Sequence, residues 1–251
     1  MKKLLLFYLL GIISIFLLFY FLYENLKSPK NEGIVSLVFD DGLKSQYSLA
    51  FPEMQKYNFK GTIYVLANWT GLFEGRELAD FEQVGEMQSA GWEIGSHGLN
   101  HKSLVNLSDT ELENELYLSK SILEKKGFNI TSLSFPFGQF NNKVIDKSKE
   151  AYLSARPLIF GDNDLNNFDP YLLKSKCVKK EYSPNKICSW VKSAKREGRW
   201  LILDFHSIGY NESRPWDESL EDFKKILLCI NNSGIQVMPV KEVLAKYGKT
   251  K

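Results

Sequence analysis

Five residues of this 251-residue chain combine types and positions suited to hydrolytic chemistry: Asp40 and Asp41, which end the apolar run in "VSLVFDDGLKS", and the chain's only three histidines, His97, His101 and His206. In "SHGLNHKS" the first two imidazoles lie four residues apart. That spacing places both on one side of a helical turn and offers two nitrogens to one metal ion. Alone the pair is a weak signal, because most histidines are ordinary polar groups. Asp41 strengthens it. Two imidazoles and one carboxylate form a three-ligand set with an open position for water, the arrangement catalytic zinc prefers. Adjacent side chains of a strand point to opposite faces, so both aspartates reach one site only if the backbone bends, and Gly42 permits a turn directly after them. If Asp41 holds the metal, Asp40 is left as general base toward that water. A plain turn or helix cap would explain either aspartate but not the histidines that accompany them.

The elements that must position these residues alternate along the chain. Residues 34–39, 61–66, 92–96, 131–137, 199–205 and 235–240 are short, apolar and rich in β-branched or aromatic residues, which predicts strands. Helical stretches lie between them. The clearest starts at Ser108, with Glu111 completing a capping box, and continues through Leu112, Leu116 and Leu123 to a stop at Gly127. The alternation predicts an α/β fold with a parallel sheet, either an open doubly wound sheet or a (β/α) barrel, and in both ligands gather at the carboxyl ends of the strands. Asp40, Asp41, His97, His101, Phe137 and His206 all fall at such ends. Residues 157–171 form a long loop that could wall the site.

The N-terminus follows a different pattern. After Lys2 and Lys3 comes an uncharged run of twenty residues, Leu4–Tyr23. As a helix at about 1.5 Å per residue it would span roughly 30 Å, the thickness of a bilayer core. Its bulky end, "FYFLYENLK", lacks the small residues of a cleavage site, so an uncleaved anchor is expected, with residues 1–30 as anchor and tether and 31–251 as the catalytic domain. The short basic head favours a cytoplasmic N-terminus and a domain on the extracytoplasmic side, although Lys27 and Lys30 on the other flank leave little charge asymmetry. Residues 1–30 carry four lysines and Glu24, so the net charge of +2 leaves the rest near −1 and gives no electrostatic footprint for nucleic acid. Three cysteines, Cys177, Cys188 and Cys229, define no metal motif and allow at most one bridge outside the cell, Cys177–Cys188.

Read in order, "LVFDDG", "SHGLNH", "SFPFGQFN" and "LILDFHS" resemble the first, second, third and fifth motifs of the polysaccharide deacetylases, the NodB-homology domain of carbohydrate esterase family four. The resemblance covers about residues 34–245, including "GIQVMPVKEVL". It implies a distorted (β/α) barrel, a divalent metal, usually Zn2+, and hydrolysis of N-acetyl groups on amino sugars of a carbohydrate polymer. Position by position, it makes Asp40 the base, Asp41, His97 and His101 the metal ligands, His206 the acid and the Phe137 N–H an oxyanion donor. Leu203 and Ile208, flanking His206, become candidates for the acetyl-methyl pocket. Two departures stand out. The third motif's arginine is replaced by Ser134, for which Arg156 is a candidate substitute, and the fourth motif is missing, leaving Asp204, or Asp162 or Asp164 of the long loop, to orient His206. Two other classes of function remain open: a non-catalytic, membrane-tethered carbohydrate-binding module, and a metal-dependent amidohydrolase of small non-peptide C–N compounds. Trp69, Trp216 and Tyr210 are candidate sugar platforms or core residues.

Overall fold

The computed structural model describes residues 32–68, 71–210 and 214–248, together with isolated helical positions between 11 and 19. The expected anchor over residues 4–23 lies largely outside the described residues, and among those described no helix is long and apolar enough to cross a membrane. Residues Glu32–Lys251 form a compact unit.

Its strands are β1 (Ile34–Phe39), β2 (Thr62–Val65), a separate short hairpin of β3 (Leu72–Phe73) and β4 (Arg76–Glu77), β5 (Glu93–Ser96), β6 (Ser132–Ser134), β7 (Ser154–Arg156), β8 (Asn163–Asp164), β9 (Lys176–Cys177), β10 (Arg199–Phe205) and β11 (Gln236–Val237). The main sheet is ordered β7-β6-β5-β2-β1-β10-β8, with β11 paired to β1 and β9 to β10. Its ladders are parallel apart from the antiparallel β8–β10 pair. Each of the six strands expected from the sequence forms within its span; β1, β2 and β10 are buried on both faces and read as near-continuous apolar runs.

Alternation along β1 and β10 sorts side chains into two layers. Val35, Leu37, Phe39, Leu201, Leu203 and Phe205 join the cluster beneath helices Pro184–Glu197 and Leu220–Ser233, while Ile34, Val38, Trp200 and Ile202 join a second cluster on the other face. Asp204 shares the parity of that second set and so does Asp40, two positions beyond Val38. The barrel's distortion is an opening: the sheet is a curled half-barrel, and no ladder joins β7 to β8 or β9 among the described residues. Loop bonds span the gap, from Ala155 N–H to the Pro170 carbonyl at 2.8 Å and from Leu173 N–H to the Ala155 carbonyl at 3.3 Å.

The Ser108–Glu111 capping box forms, and the helix it starts runs as Asp109–Glu113, a π-helical turn at Asn114–Leu118 and Ser119–Lys125. The cysteines differ from expectation. Cys188, on helix Pro184–Glu197, is bridged to Cys229 on helix Leu220–Ser233, with Cα atoms 6.0 Å apart, while Cys177 on β9 stays free. Cys177 is held on a strand of the sheet, whereas the two helices pack side by side and bring Cys188 and Cys229 together.

Candidate active site

Asp40 and Asp41 follow the carboxyl end of β1, between β2 and β10. Alternation alone would send Asp41 to the face opposite Asp40, but its backbone enters the left-handed region at φ 72°, followed by Gly42 at φ 68°. The bend therefore begins at Asp41 itself, one residue earlier than the glycine suggests. Of the five described non-glycine residues with positive φ, Asp41, Glu74, His101 and Phe137 line one cavity. Such concentration is characteristic of functional sites, where the surrounding structure holds the chain in costly conformations.

The same cavity, of about 590 Å³, is also lined by Asp40, His97, Arg156, Cys177, Asp204, His206 and Trp216. His97 and His101 converge through an irregular loop, not a helical turn; Gly98 at φ 82° and His101 at φ 53° reverse the chain. Their Nε2 atoms lie 3.4 and 3.5 Å from Asp41 Oδ1. The His97 Nδ1–H donates to the Ser134 carbonyl at 2.8 Å, which fixes the tautomer and leaves the Nε2 lone pair free to ligate. One donor atom from each of Asp41, His97 and His101 lies within 4.8 Å of the others, a set that fits a divalent cation. Burial raises Asp41, but the neighbouring imidazoles, His97 foremost, outweigh it and hold the carboxyl below its ordinary range. Burial, reinforced by His97, lowers His101 to about 4, so its imidazole is neutral and able to ligate near pH 7.

Two residues that sequence reasoning missed hold this frame. Glu115, only 2% exposed, accepts from the Leu99 and Asn100 amides at 2.7 and 3.0 Å and thereby pins the loop between the histidines. It projects from the π-helical turn, a device frequent at functional sites. The available signal was an acid on the buried stripe of Leu112, Leu116 and Leu123. Gln46, in a second π-helical turn at Gln46–Ala50, donates to the Asp40 carbonyl and, at 2.8 Å, to the His206 carbonyl, tying the ends of β1 and β10 together. Nothing local in the sequence marks it.

Arg156 reaches the site from the strand beside Ser134, the position at which the resemblance expected an arginine. Ser134 and Arg156 are register partners on β6 and β7, so the guanidinium arrives from the neighbouring strand at the same height. Its Nη2 donates to both Asp40 oxygens at 2.5 Å and to Ser134 Oγ at 2.7 Å, while Nη1 donates to Asp204 Oδ2 at 2.9 Å. Burial would raise Asp40, yet Arg156, then His97 and His206, outweigh it and hold Asp40 well below the usual carboxylate range. Burial dominates at Asp204 and pushes it up. One guanidinium thus serves two carboxylates, and Asp40 keeps the charge.

The remaining expected residues divide. Phe137 lies at φ 60° in the turn after β6, its ring 4.5 Å from that of His101. His206 lines the cavity, with the Trp216 ring tilted against it at 5.9 Å between centroids. Asp204 lies beside it but makes no hydrogen bond to it; both Asp204 Oδ1 and His206 Nδ1 are buried without a partner. Leu203 and Ile208 are fully buried in the outer cluster and do not line the cavity, since alternation turns Leu203 away from the face that carries Asp204 and His206. Leu158, Phe135 and Trp216 supply apolar lining in their stead. Asp162 pairs with Lys176 at 2.8 Å and Asp164 with Arg199 at 3.1 Å, so neither orients His206. Tyr210 lies against Arg76 at 5.0 Å, and Trp69 is outside the described residues.

A curled parallel half-barrel with a carboxylate–histidine cluster at its strand ends defines a class of α/β proteins with a candidate cation site. Within that class, the sequence pattern described as polysaccharide deacetylase matches residues 27–155, and the chain belongs to that family. YxkH of Bacillus subtilis is 30% identical over 125 residues, 49% of this chain and 43% of that protein. A peptidoglycan-N-acetylglucosamine deacetylase of Bacillus cereus is 28% identical over 130 residues, 51% of this chain and 58% of that protein. The matched stretch thus spans about half of each relative's length. In fold, the chain is similar to the Xyl-CE4 domain of a multidomain xylanase from the hindgut metagenome of Trinervitermes trinervoides, with a TM-score of 0.61 at 18% identity over 88% of this chain and 93% of that one.

Proposed function

We propose that the protein is a divalent-metal-dependent N-deacetylase acting on N-acetylglucosamine-type units of a cell-surface polysaccharide. The observation that carries this reading is the convergence of Asp41, His97 and His101 beside an Asp40 kept ionised by Arg156. Asp41 Oδ1 and the Nε2 atoms of His97 and His101 would hold the cation, Zn2+ being the best match to two imidazoles and a carboxylate with one open position. When bound, such a cation supplies Lewis acidity to a water and to the amide carbonyl. Asp40 takes the proton of the attacking water, and its guanidinium clamp sets which way the carboxylate faces. The Phe137 N–H donates to the carbonyl oxygen as negative charge develops there. His206 passes a proton to the departing amine. Leu158, Phe135 and Trp216 surround the acetyl methyl and keep bulk water from it. The amino-sugar substrate is supported by the B. cereus relative, whose name states peptidoglycan N-acetylglucosamine.

The proposed place of action is the outer face of a membrane. Leu4–Tyr23 is uncharged over twenty residues behind Lys2 and Lys3, and the Cys188–Cys229 bridge suits an oxidising compartment. The test is acetate release by the full chain, stripped by chelation and then reloaded with Zn2+, from oligomers of chitin, peptidoglycan and poly-N-acetylglucosamine. Metal-dependent release from at least one supports the reading; no release from any of them overturns it.

A further inference from the structure

The cavity contains a second cluster that the proposed chemistry leaves partly unused. Cys177 and Asp204 are register partners on β9 and β10, and His206 follows two residues beyond Asp204. One ligand atom from each of Cys177, Asp204 and His206 lies within 4.8 Å of the other two. Two observations show unspent bonding capacity. Asp204 is 1% exposed and commits Oδ2 to Arg156, yet its Oδ1 is buried without a partner; His206 Nδ1 is buried without one as well. Cys177 is not part of a disulfide, and all three residues line the cavity, so an ion can reach them. An unpaired buried carboxylate oxygen beside an unpaired imidazole nitrogen costs free energy that a bound cation would recover.

The geometry points to a second, inhibitory site for a borderline-soft divalent cation, zinc or cadmium, held by Cys177 Sγ, Asp204 and His206. Thiolate, carboxylate and imidazole are the donor types zinc selects, and the two anionic donors offset the charge of a dication. Burial keeps the thiol protonated in the free protein, so the arriving ion displaces that proton and takes the thiolate. Asp41, His97 and His101 share no residue with this set. The guanidinium of Arg156 beside Asp204 repels a cation, so this site fills after the first. Once filled, it removes His206 from proton transfer. Metal binding here stands apart from the deacetylase reading, whereas the inhibition rests on it.

The test uses the full chain loaded with one equivalent of Zn2+ and then titrated with Cd2+, following the ultraviolet thiolate-to-cadmium charge-transfer absorption. With Cys188 and Cys229 joined, Cys177 is the one free thiol among the chain's three cysteines, so the band reports this site alone. The expected result is a saturable band that Cys177→Ser abolishes and that needs about tenfold or more Cd2+ in Asp204→Asn. A band absent from the native chain, or unchanged in Asp204→Asn as for a lone thiol, overturns the site. In parallel, excess Zn2+ or Cd2+ should suppress acetate release by the native chain and not by Cys177→Ser, with equal rates at one equivalent. Saturation of the band without loss of rate overturns the inhibition. A chain that releases no acetate at any metal level refutes the deacetylase reading, and the absorption titration still decides the site.

Discussion

Replacing Arg156 with methionine removes the one cation that neutralises two buried carboxylates. Arg156, Asp40 and Asp204 are 3%, 5% and 1% exposed, so bulk water replaces the lost bonds poorly. Asp40 gives up contacts from Nη2 to both its oxygens at 2.5 Å, and a hydrogen bond to a charged group contributes about 1.5–3 kcal/mol. Taking about 3 kcal/mol, its pKa rises by roughly two units. Loss of a cation favours the neutral acid, so a reaction that needs ionised Asp40 fails at higher pH than in the native chain: the acid limb of kcat/KM moves up, by at most the roughly two units that Asp40 gains. With its carboxylate no longer aimed, turnover at the optimum falls on the order of 100-fold. Stability falls by about 3–5 kcal/mol, as expected when one partner of a buried pair is removed. The double variant Ser134→Arg with Arg156→Ser separates a folding defect from a positioning defect, because the two positions are register partners and the guanidinium returns to the same height from β6. It should recover most of the rate and the native acid limb. Initial rates across pH, with thermal melts of each protein, make the measurement. An Arg156→Met protein that folds and retains the native rate and acid limb refutes the reasoning.

Four further outcomes are expected. Asp40→Asn should bind the divalent cation as tightly as the native chain by calorimetry while losing about 10²–10⁴-fold in turnover, the share of a general base. Glu115→Ala frees the Leu99 and Asn100 amides and should weaken metal affinity by about 10–100-fold with the overall fold preserved in circular dichroism. Reducing the Cys188–Cys229 bridge, which closes a loop of 41 residues, should lower stability by up to about 4 kcal/mol in denaturant titration. Burial, with the charge of Asp222, pushes Glu218 up to about 7 from an ordinary 4.5. Its contribution to stability is therefore full below pH 4.5 and lost as pH rises through 7, so Glu218→Gln should be more stable than the native chain at pH 8, by about 1–2 kcal/mol after discounting for solvent screening, and no more stable at pH 4.

How much of this was legible in the sequence follows from where the information lies. β1, β2 and β10 were readable because burial on both faces writes itself as an apolar run, and β5, β6 and β11 because they lie inside longer apolar, β-branched stretches. The pairs of residues in β3, β4, β8 and β9 are too short to show a period, and they form only where tertiary contacts bring them to a partner. At the site, strand-end aspartates and three histidines stood out by type and place. Their geometry did not: positive φ at Asp41 and His101 is a property of the packed loop, and no pattern predicts it. Arg156 was readable as a candidate because it ends a strand-like segment, but its function came from its register with Ser134. Leu203 was misassigned by proximity to His206, where alternation puts it on the other face. Gln46 bonds a residue 160 positions away and Cys177 is in register with one 27 positions away, beyond any local signal.

The central claim is that one divalent cation sits among Asp41, His97 and His101 while Asp40 stays outside its coordination sphere, clamped by Arg156. Anomalous diffraction from crystals of the zinc-loaded chain at one equivalent tests it most directly. The account predicts a single peak within bonding distance, about 2.0–2.2 Å, of an Asp41 oxygen and the two Nε2 atoms, with both Asp40 oxygens still on the guanidinium. A peak elsewhere, or one that takes Asp40 as a ligand and leaves Arg156 without it, would contradict the account.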